Sequence, residues 1–356
     1  MPNHGLDRLA DERVNWIQSI PFFLVHLLPF LAYFTGISTR AVVLGLALFW
    51  VRIFFVTAGY HRYFAHRSYK LARVPQFLLA FGTTTTAQKG PLWWAAHHRS
   101  HHRNSDTEDD VHSPQKGFWW SHVGWILSNK YKDTDYDAIK DFARFPELRF
   151  LDRQNWIGPW VLGIASFLIA GWDGLLIGFF ASTVLLWHAT FSINSLAHVM
   201  GRRRYATTDT SRNSLLLALL TWGEGWHNNH HYYQASARQG FFWWELDLTY
   251  YVLKMGSWVG LVKNLKVPTA QIKAAGRVKH GSFDLGMFRA HWAKANAAVV
   301  ASKAALSNSV GDHRVHLGDA VDVARDSLDG VVLSTLHRAE ELSKLTRQST
   351  RLGLVD

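Results

Sequence analysis

Twenty of the 356 residues are histidine, and nine of them fall in a pattern that packing alone has no reason to produce. Three boxes hold eight: His61-Arg-Tyr-Phe-Ala-His66, His98-Arg-Ser-His101-His102 and His227-Asn-Asn-His230-His231. The ninth, His198, lies between the second and third boxes. Imidazole is a good ligand for iron, copper, nickel and zinc. Positions i, i+3 and i+4 share one helical face, so the second and third boxes each turn three imidazoles to one side. His61 and His66 are five apart, about 140° on a helix at 100° per residue. That separation suits two neighbouring ions better than one. Asn194 stands four residues before His198, where its amide could hold a water on the metal that His198 binds. Nine ligands exceed one octahedral ion, and tetrahedral zinc would take about four, so two ions are expected. Ligating imidazoles usually give their other N–H to a carboxylate or carbonyl. Asp106, Glu108, Asp109, Asp110 and Glu224 are the candidates beside the boxes. His4, His26, His188, His280, His291, His313, His316 and His337 stand outside the pattern and read as ordinary hydrogen-bonded histidines.

The elements that must gather these rings are written in the charge pattern. Residues 20–36 and 156–172 carry no charge, 41–59 carry only Arg52, and 174–201 lack Asp, Glu, Lys and Arg altogether. Each approaches the ~20 residues a helix needs to cross a bilayer, which predicts spans over about 20–36, 41–59, 156–172 and 174–195. Tyr33, Trp50, Trp156, Trp160 and Trp172 lie near the segment ends, where amphipathic rings prefer the headgroup layer. Arg52 is expected to snorkel outward. Tight connections at 35–40 and at Asp173 pair the spans into two hairpins. Both hairpins return the chain to one face, so all nine histidines can meet there without crossing the bilayer. Arg62, Arg67, Lys70 and Arg73, then Arg202, Arg203 and Arg204, place that face in the cytoplasm together with both termini. Residues 75–86 read as an interfacial helix and 132–153 as a solvated segment. From about Thr269 the chain turns Ala-rich and charged, with helical spacing over 288–305 and 320–345. The expected fold is an all-α membrane protein with four transmembrane helices under a cytosolic helical cap that holds a di-metal site. That domain would span 1–268, with 269–356 as a soluble accessory helical tail. Residues 1–13 are polar and mixed in charge, which predicts no cleavable signal peptide.

Composition removes other chemistries. The absence of cysteine excludes disulfides, Cys-ligated zinc and an internal iron–sulfur cluster. No haem-binding His-Pro-Gly-Gly string or dinucleotide fingerprint is present. Electrons must therefore come from a separate carrier, such as a ferredoxin, rubredoxin or small cytochrome. The net charge of +11 suits an acidic carrier and anionic lipid better than nucleic acid.

At this point the chain resembles the membrane fatty acyl desaturases, specifically the stearoyl-CoA delta-9 type, from about Arg13 to Pro268. The strings that carry the likeness are HRYFAHRSYK from His61, GFWWSHVGW from Gly117, NSLAH from Asn194 and GEGWHNNHH from Gly223. The resemblance implies two irons held by His61, His66, His98, His101, His102, His198, His227, His230 and His231, with Asn194 holding a water. Zinc could replace iron in an overproduced protein. It further implies molecular oxygen as co-substrate and a cis double bond, delta-9, made in a saturated acyl chain. An alkyl C–H bond is too strong for acid–base chemistry, so a redox cofactor carries the hard step. The protein then supplies a dry apolar tunnel that positions one methylene pair. Trp94 occupies the position of a tryptophan that lines the family's tunnel. The family's Arg-Asp pair before the second box reads Ala96 and His97 here, and its Arg-Lys pair reads Asn129 and Lys130. Lys130 is thus the remaining candidate headgroup contact. Acyl-CoA is expected ahead of a phospholipid-linked chain. The rival reading is a membrane di-iron lipid or alkane hydroxylase, which would leave an oxygen atom in the product.

Overall fold

A computed structural model describes residues 10–278, with 297 and 299–301. Among these the chain is an all-helical membrane protein with isolated bridge contacts and no strand. Three helical runs are long and apolar enough to span: Trp16–Thr35, Thr39–Ala65 and Ile157–Val199. The first comprises α1 (Trp16–Leu27), a 3-10 turn at Leu28–Leu31 and a short helix at Ala32–Thr35. Asn15 caps it, accepting from the Gln18 N–H at 3.0 Å, and Pro29, which has no N–H to donate, sits in the tightened turn. α2 (Thr39–Phe54) opens on Ser38, whose hydroxyl accepts from the Ala41 N–H at 3.2 Å.

The run Ile157–Val199 contains 43 residues, but its backbone turns in the middle. Ala170 (φ −139°) and Gly171 (φ 65°) leave the helical region, and glycine supplies the left-handed φ that a side chain resists. α6 (Ile157–Asp173), the π-helical Gly174–Ala181 and α7 (Ser182–Val199) follow one another across this break. The two limbs face each other: a Cβ on Gly163 would lie 3.6 Å from the Phe179 ring and 3.7 Å from Leu175. Asp173 accepts from the Gly174 N–H at 3.1 Å and from the Ser38 N–H at 3.0 Å. One carboxylate thus ties both loop turns together.

Arg52 departs from expectation. Instead of snorkelling to the headgroups it is 1% exposed and turned into the bundle. Its guanidinium donates to Thr183 Oγ1 at 2.7 Å, Ser182 Oγ at 2.6 Å and the Leu48 carbonyl at 3.1 Å. Those oxygens replace the water that a charge at this depth would otherwise lack.

Three further helices carry the boxes or brace them. α3 (Arg73–Thr84) falls where an interfacial helix was expected, and α4 (Pro91–Asn104) carries the second box. The first turn of α4 is held by Asp152, which accepts from the Leu92 N–H at 2.9 Å and the Trp93 N–H at 2.8 Å. Asp152 belongs to α5 (Pro146–Arg153), which buries Leu148 and Leu151 in one apolar cluster with Leu92 and Phe64. The described residues of the compact unit so formed are 10–205 and Thr210–Arg277. It takes in residues 269–277, which the sequence reading gives to the tail, because the Tyr205 hydroxyl donates to the Lys273 carbonyl at 3.0 Å. The helical spacing expected over 320–345, and most of that over 288–305, lies outside the described residues.

Candidate metal centre

The first histidine box does not sit on an α-helix. α2 runs on into π-helical turns over Phe55–Ala65, closed by the His66 N–H donating to the His61 carbonyl at 3.1 Å. That is the i→i+5 bond of a π-helix, and it overturns the 140° separation expected from α-helical spacing. The two rings stand on one side, their centroids 4.8 Å apart. They join His98 and His102 from α4 and His230 from α8 (His227–Tyr232), and the ligand atoms of all five lie within 4.8 Å of one another. The Nε2 atoms of His61 and His230 are 3.0 Å apart, those of His66 and His98 2.9 Å, and those of His102 and His230 2.9 Å.

The remaining four histidines form an adjoining group. His198 from α7 and His227 bring their Nε2 atoms to 3.2 Å. The His231 ring lies 4.3 Å from His227, and His101 lies 5.2 Å from His231. In the second and third boxes, then, the i, i+4 pair shares a group and the i+3 member sits with the other. The second and third boxes are each divided between two adjacent pockets of nitrogen.

Carboxylates stand behind these rings. Glu224 contacts His61 Nδ1, Asp110 accepts from His101 Nδ1 at 2.8 Å, and Asp106 lies 3.2 Å from His198 Nδ1. A carboxylate on Nδ1 keeps the proton there and leaves the Nε2 lone pair facing inward. His101 Nε2, so oriented, is buried without a hydrogen-bond partner. Glu108 and Asp109, equally plausible from the sequence, are exposed. Burial and then the neighbouring imidazoles push His66, His98, His102 and His230 well below the ordinary histidine range. Burial opposes ionisation of Asp110, but His101 and His112 outweigh it and hold the carboxyl below its usual range. Glu224 follows the same logic, with His61 and Arg62 outweighing burial. Neutral imidazoles backed by ionised carboxylates are a donor set that fits borderline transition ions.

A cavity of about 1020 Å³ abuts the first group. His98, His112 and Asn194 line its polar end, and Phe22, Val25, Ile164, Phe167 and Phe180 line its apolar length. Trp94 also lines it, stacked on His98 at 4.8 Å and on Tyr60 at 5.3 Å. Trp93 lines the cavity too, stacked on Trp125 at 5.7 Å. Lys130 instead pairs with Glu12 at 2.7 Å, as Lys116 does at 2.6 Å, whereas Lys89 and Lys132 are the lysines in the cavity wall. Sequence reasoning missed His112, whose buried ring lies 4.1 Å from His101 and whose ligand atom groups with those of His101 and Asp110. It stands outside every box, so spacing gave no signal for it.

Histidine clusters that could hold metal thus stand beside an apolar cavity lined by the membrane-length helices, the setting of a lipid-modifying enzyme. A fatty acid desaturase family profile matches residues 37–256. The chain belongs to that family and is an acyl desaturase, an oxidoreductase. An sn-1 stearoyl-lipid 9-desaturase from Anabaena variabilis is 36% identical over 261 residues, covering 72% of this chain and 96% of the relative. An sn-2 palmitoyl-lipid 9-desaturase from Nostoc sp. (strain 36) is 35% identical over 271 residues, 72% of this chain and 94% of its own length. An acyl-CoA 5-desaturase from Anemone leveillei is 37% identical over 249 residues, covering 69% of this chain and 77% of the relative.

Proposed function

We propose that the chain is an oxygen-dependent desaturase that places a cis double bond, delta-9, in a saturated acyl chain. The observation that carries this reading is the meeting of the nine box imidazoles in adjoining, overlapping clusters beside an apolar cavity. One iron would be held by His61, His66, His98, His102 and His230, the other by His101, His198, His227 and His231. Iron supplies the redox chemistry needed to break an unactivated C–H bond. Glu224, Asp110 and Asp106 fix the ring tautomers, and Asn194, four residues before His198, holds a water at the second group. Trp94 packs beside the reacting methylenes, and the cavity keeps bulk water from them.

The break at Ala170 and Gly171 supports two spans in the third run, hence four in all. Basic residues after the second and fourth spans then favour a cytoplasmic cap, where an external electron carrier docks. The acyl carrier we propose is a membrane lipid, ahead of the coenzyme A that the sequence favoured. The cavity wall includes Pro21, Trp160 and Ile164, which are exposed within the spans, so a chain can enter sideways from the bilayer. Lipid-linked substrates also appear in the names of the Anabaena and Nostoc relatives. The test is expression in a host that lacks unsaturated fatty acids, followed by mass spectrometry of intact lipids and the acyl-CoA pool. Delta-9 monoenes are expected first in glycerolipid, and absent with His98→Ala. Hydroxylated product, or monoenes appearing in acyl-CoA first, would refute the reading or its carrier respectively.

A further inference from the structure

Two lysines in the cavity wall, Lys89 and Lys132, lack a counter-charge. Both are exposed, and among the described residues neither ammonium group forms an ion pair. Lys116 and Lys130, by contrast, share Glu12. Asp152, the buried carboxylate at the first turn of α4, is already taken. Its Oδ1 accepts from the Leu92 and Trp93 N–H groups, and its Oδ2 from the Thr134 hydroxyl at 2.8 Å and the Tyr136 hydroxyl at 3.0 Å. The two lysines flank one indole. Lys89 Nζ lies 5.8 Å from the centre of the Trp93 ring. Trp93 Nε1 donates at 2.8 Å to the carbonyl of Tyr131, the residue before Lys132. Burial, then Lys132, holds Lys89 below the ordinary lysine range, with Asp133 and Asp152 opposing. Lys89 is exposed because the open cavity lies before it, while the surrounding walls disfavour its charge. An anion between the two lysines would offset both that cost and their mutual repulsion.

Both lysines stand outside the apolar spans, next to where two of them begin. Val14, just before α1, bridges Ser128, and the Asn15 N–H donates to the Leu127 carbonyl at 2.9 Å. That contact brings the segment leading to Lys132 to the start of the first span. Asp152 ties Leu92, three residues after Lys89, to the chain just ahead of α6. Trp156 and Trp160 at the start of α6 line the same cavity and are exposed, the placing of an interfacial aromatic belt. The inner side is fixed as well. Lys89 has φ 71° and Ala87 φ 56°, left-handed values uncommon for residues with a side chain. The Tyr60 hydroxyl donates to the Lys89 carbonyl at 2.7 Å. The Tyr60 ring stacks on Trp94, and Trp94 on His98. A strained backbone held in this way points to a functional position, here one kept at a set reach from the first metal group.

We propose that Lys89 and Lys132 hold the phosphate of a glycerophospholipid while its acyl chain lies along the apolar length of the cavity, an inference that rests on the lipid-linked carrier above. A phosphate diester is anionic at any physiological pH, and each lysine ammonium brings three donors to its oxygens. A neutral glycolipid has no charge to set between the two cations. Coenzyme A also carries phosphates. The bilayer is the favoured source because the lysines stand where spans begin, the level at which lipid phosphates already lie. The enzyme would then select among bilayer lipids by the charge of the headgroup, before the chain reaches the metals.

The test uses the full iron-loaded chain in maltoside micelles, comparing wild type with a variant carrying both Lys89→Gln and Lys132→Gln. Distearoyl phosphatidylglycerol, a neutral distearoyl galactosyl-diacylglycerol and stearoyl-CoA are supplied in turn. KM for phosphatidylglycerol should rise at least about 10-fold in the variant, the loss of one hydrogen bond to a charged group. Neither KM for the neutral lipid nor iron content should follow. A second arm needs no turnover: in native mass spectrometry the wild-type chain should retain phosphatidylglycerol over the neutral lipid, and the variant should retain the two equally. A wild-type KM for phosphatidylglycerol in the variant, or an equal rise for both lipids, would overturn the anchor. A rise confined to stearoyl-CoA would give the phosphate to coenzyme A and overturn the lipid source. Failure of the lipid-linked carrier shows separately, as wild-type protein that desaturates stearoyl-CoA and neither intact lipid.

Discussion

Replacing Asp110 with Asn should cost the second metal group its ion and spare the first. Oδ1 of Asp110 accepts from His101 Nδ1 at 2.8 Å and from the His112 N–H at 3.2 Å, while Oδ2 accepts from the Asp106 N–H at 2.9 Å. An asparagine offers one oxygen and one NH2, so one of these donors must face another donor. If the NH2 faces His101, the ring must accept at Nδ1 and carry its proton on Nε2, directed at the metal. Loss of such a carboxylate behind a ligating histidine lowers metal affinity by about 10–100-fold, or roughly 1.4–2.7 kcal/mol at 1.36 per decade. The assay is iron per chain under a graded chelator, read by elemental mass spectrometry. The expectation is a fall from two irons towards one for Asp110→Asn, with Asp109→Asn unchanged because Asp109 is exposed. Full loading of Asp110→Asn at every chelator concentration would refute the assignment of His101 to a separate group.

Other expectations follow from the same geometry. His66, His98, His102 and His230 are depressed in the fold, so the unfolded chain binds protons below about pH 6.5 that the folded one refuses. Stability and metal retention should be full above that pH and fall below it, which thermal unfolding and iron retention between pH 7.5 and 5 would check. Arg62 is fully buried between Glu224 and Asp247. Arg62→Met removes the buried cation that both carboxylates share and should destabilise by about 3–5 kcal/mol, seen as loss of monodisperse protein in detergent. Gly163 lines the cavity, and a Cβ there meets Phe179 at an ordinary 3.6 Å. Gly163→Ala should therefore keep the wild-type product profile, while Gly163→Leu should shift it to shorter chains by gas chromatography.

The nine histidines were legible because ligand type and i, i+4 spacing are local properties of the sequence. The uncharged segments likewise announced the spans. What stayed hidden depends on backbone departures that no residue type announces. A fixed 100° per residue misplaced His66, since nothing in Phe55–Ala65 marks the π-helical turns that align it with His61. Arg52 was expected outward because it stands towards the end of its span, when Ser182 and Thr183 from another run receive it inside. Of four carboxylates after the second box, only the loop's path decides that Asp106 and Asp110 turn in while Glu108 and Asp109 face out. His26 and His188 read as ordinary one at a time. Their pairing across 162 positions of chain appears only once the helices are packed.

Anomalous scattering at the iron edge from crystals of the iron-loaded protein tests the central claim most directly. Two peaks are predicted, one among His61, His66, His98, His102 and His230, the other among His101, His198, His227 and His231. A single peak, or one confined to His101, Asp110 and His112, would contradict it.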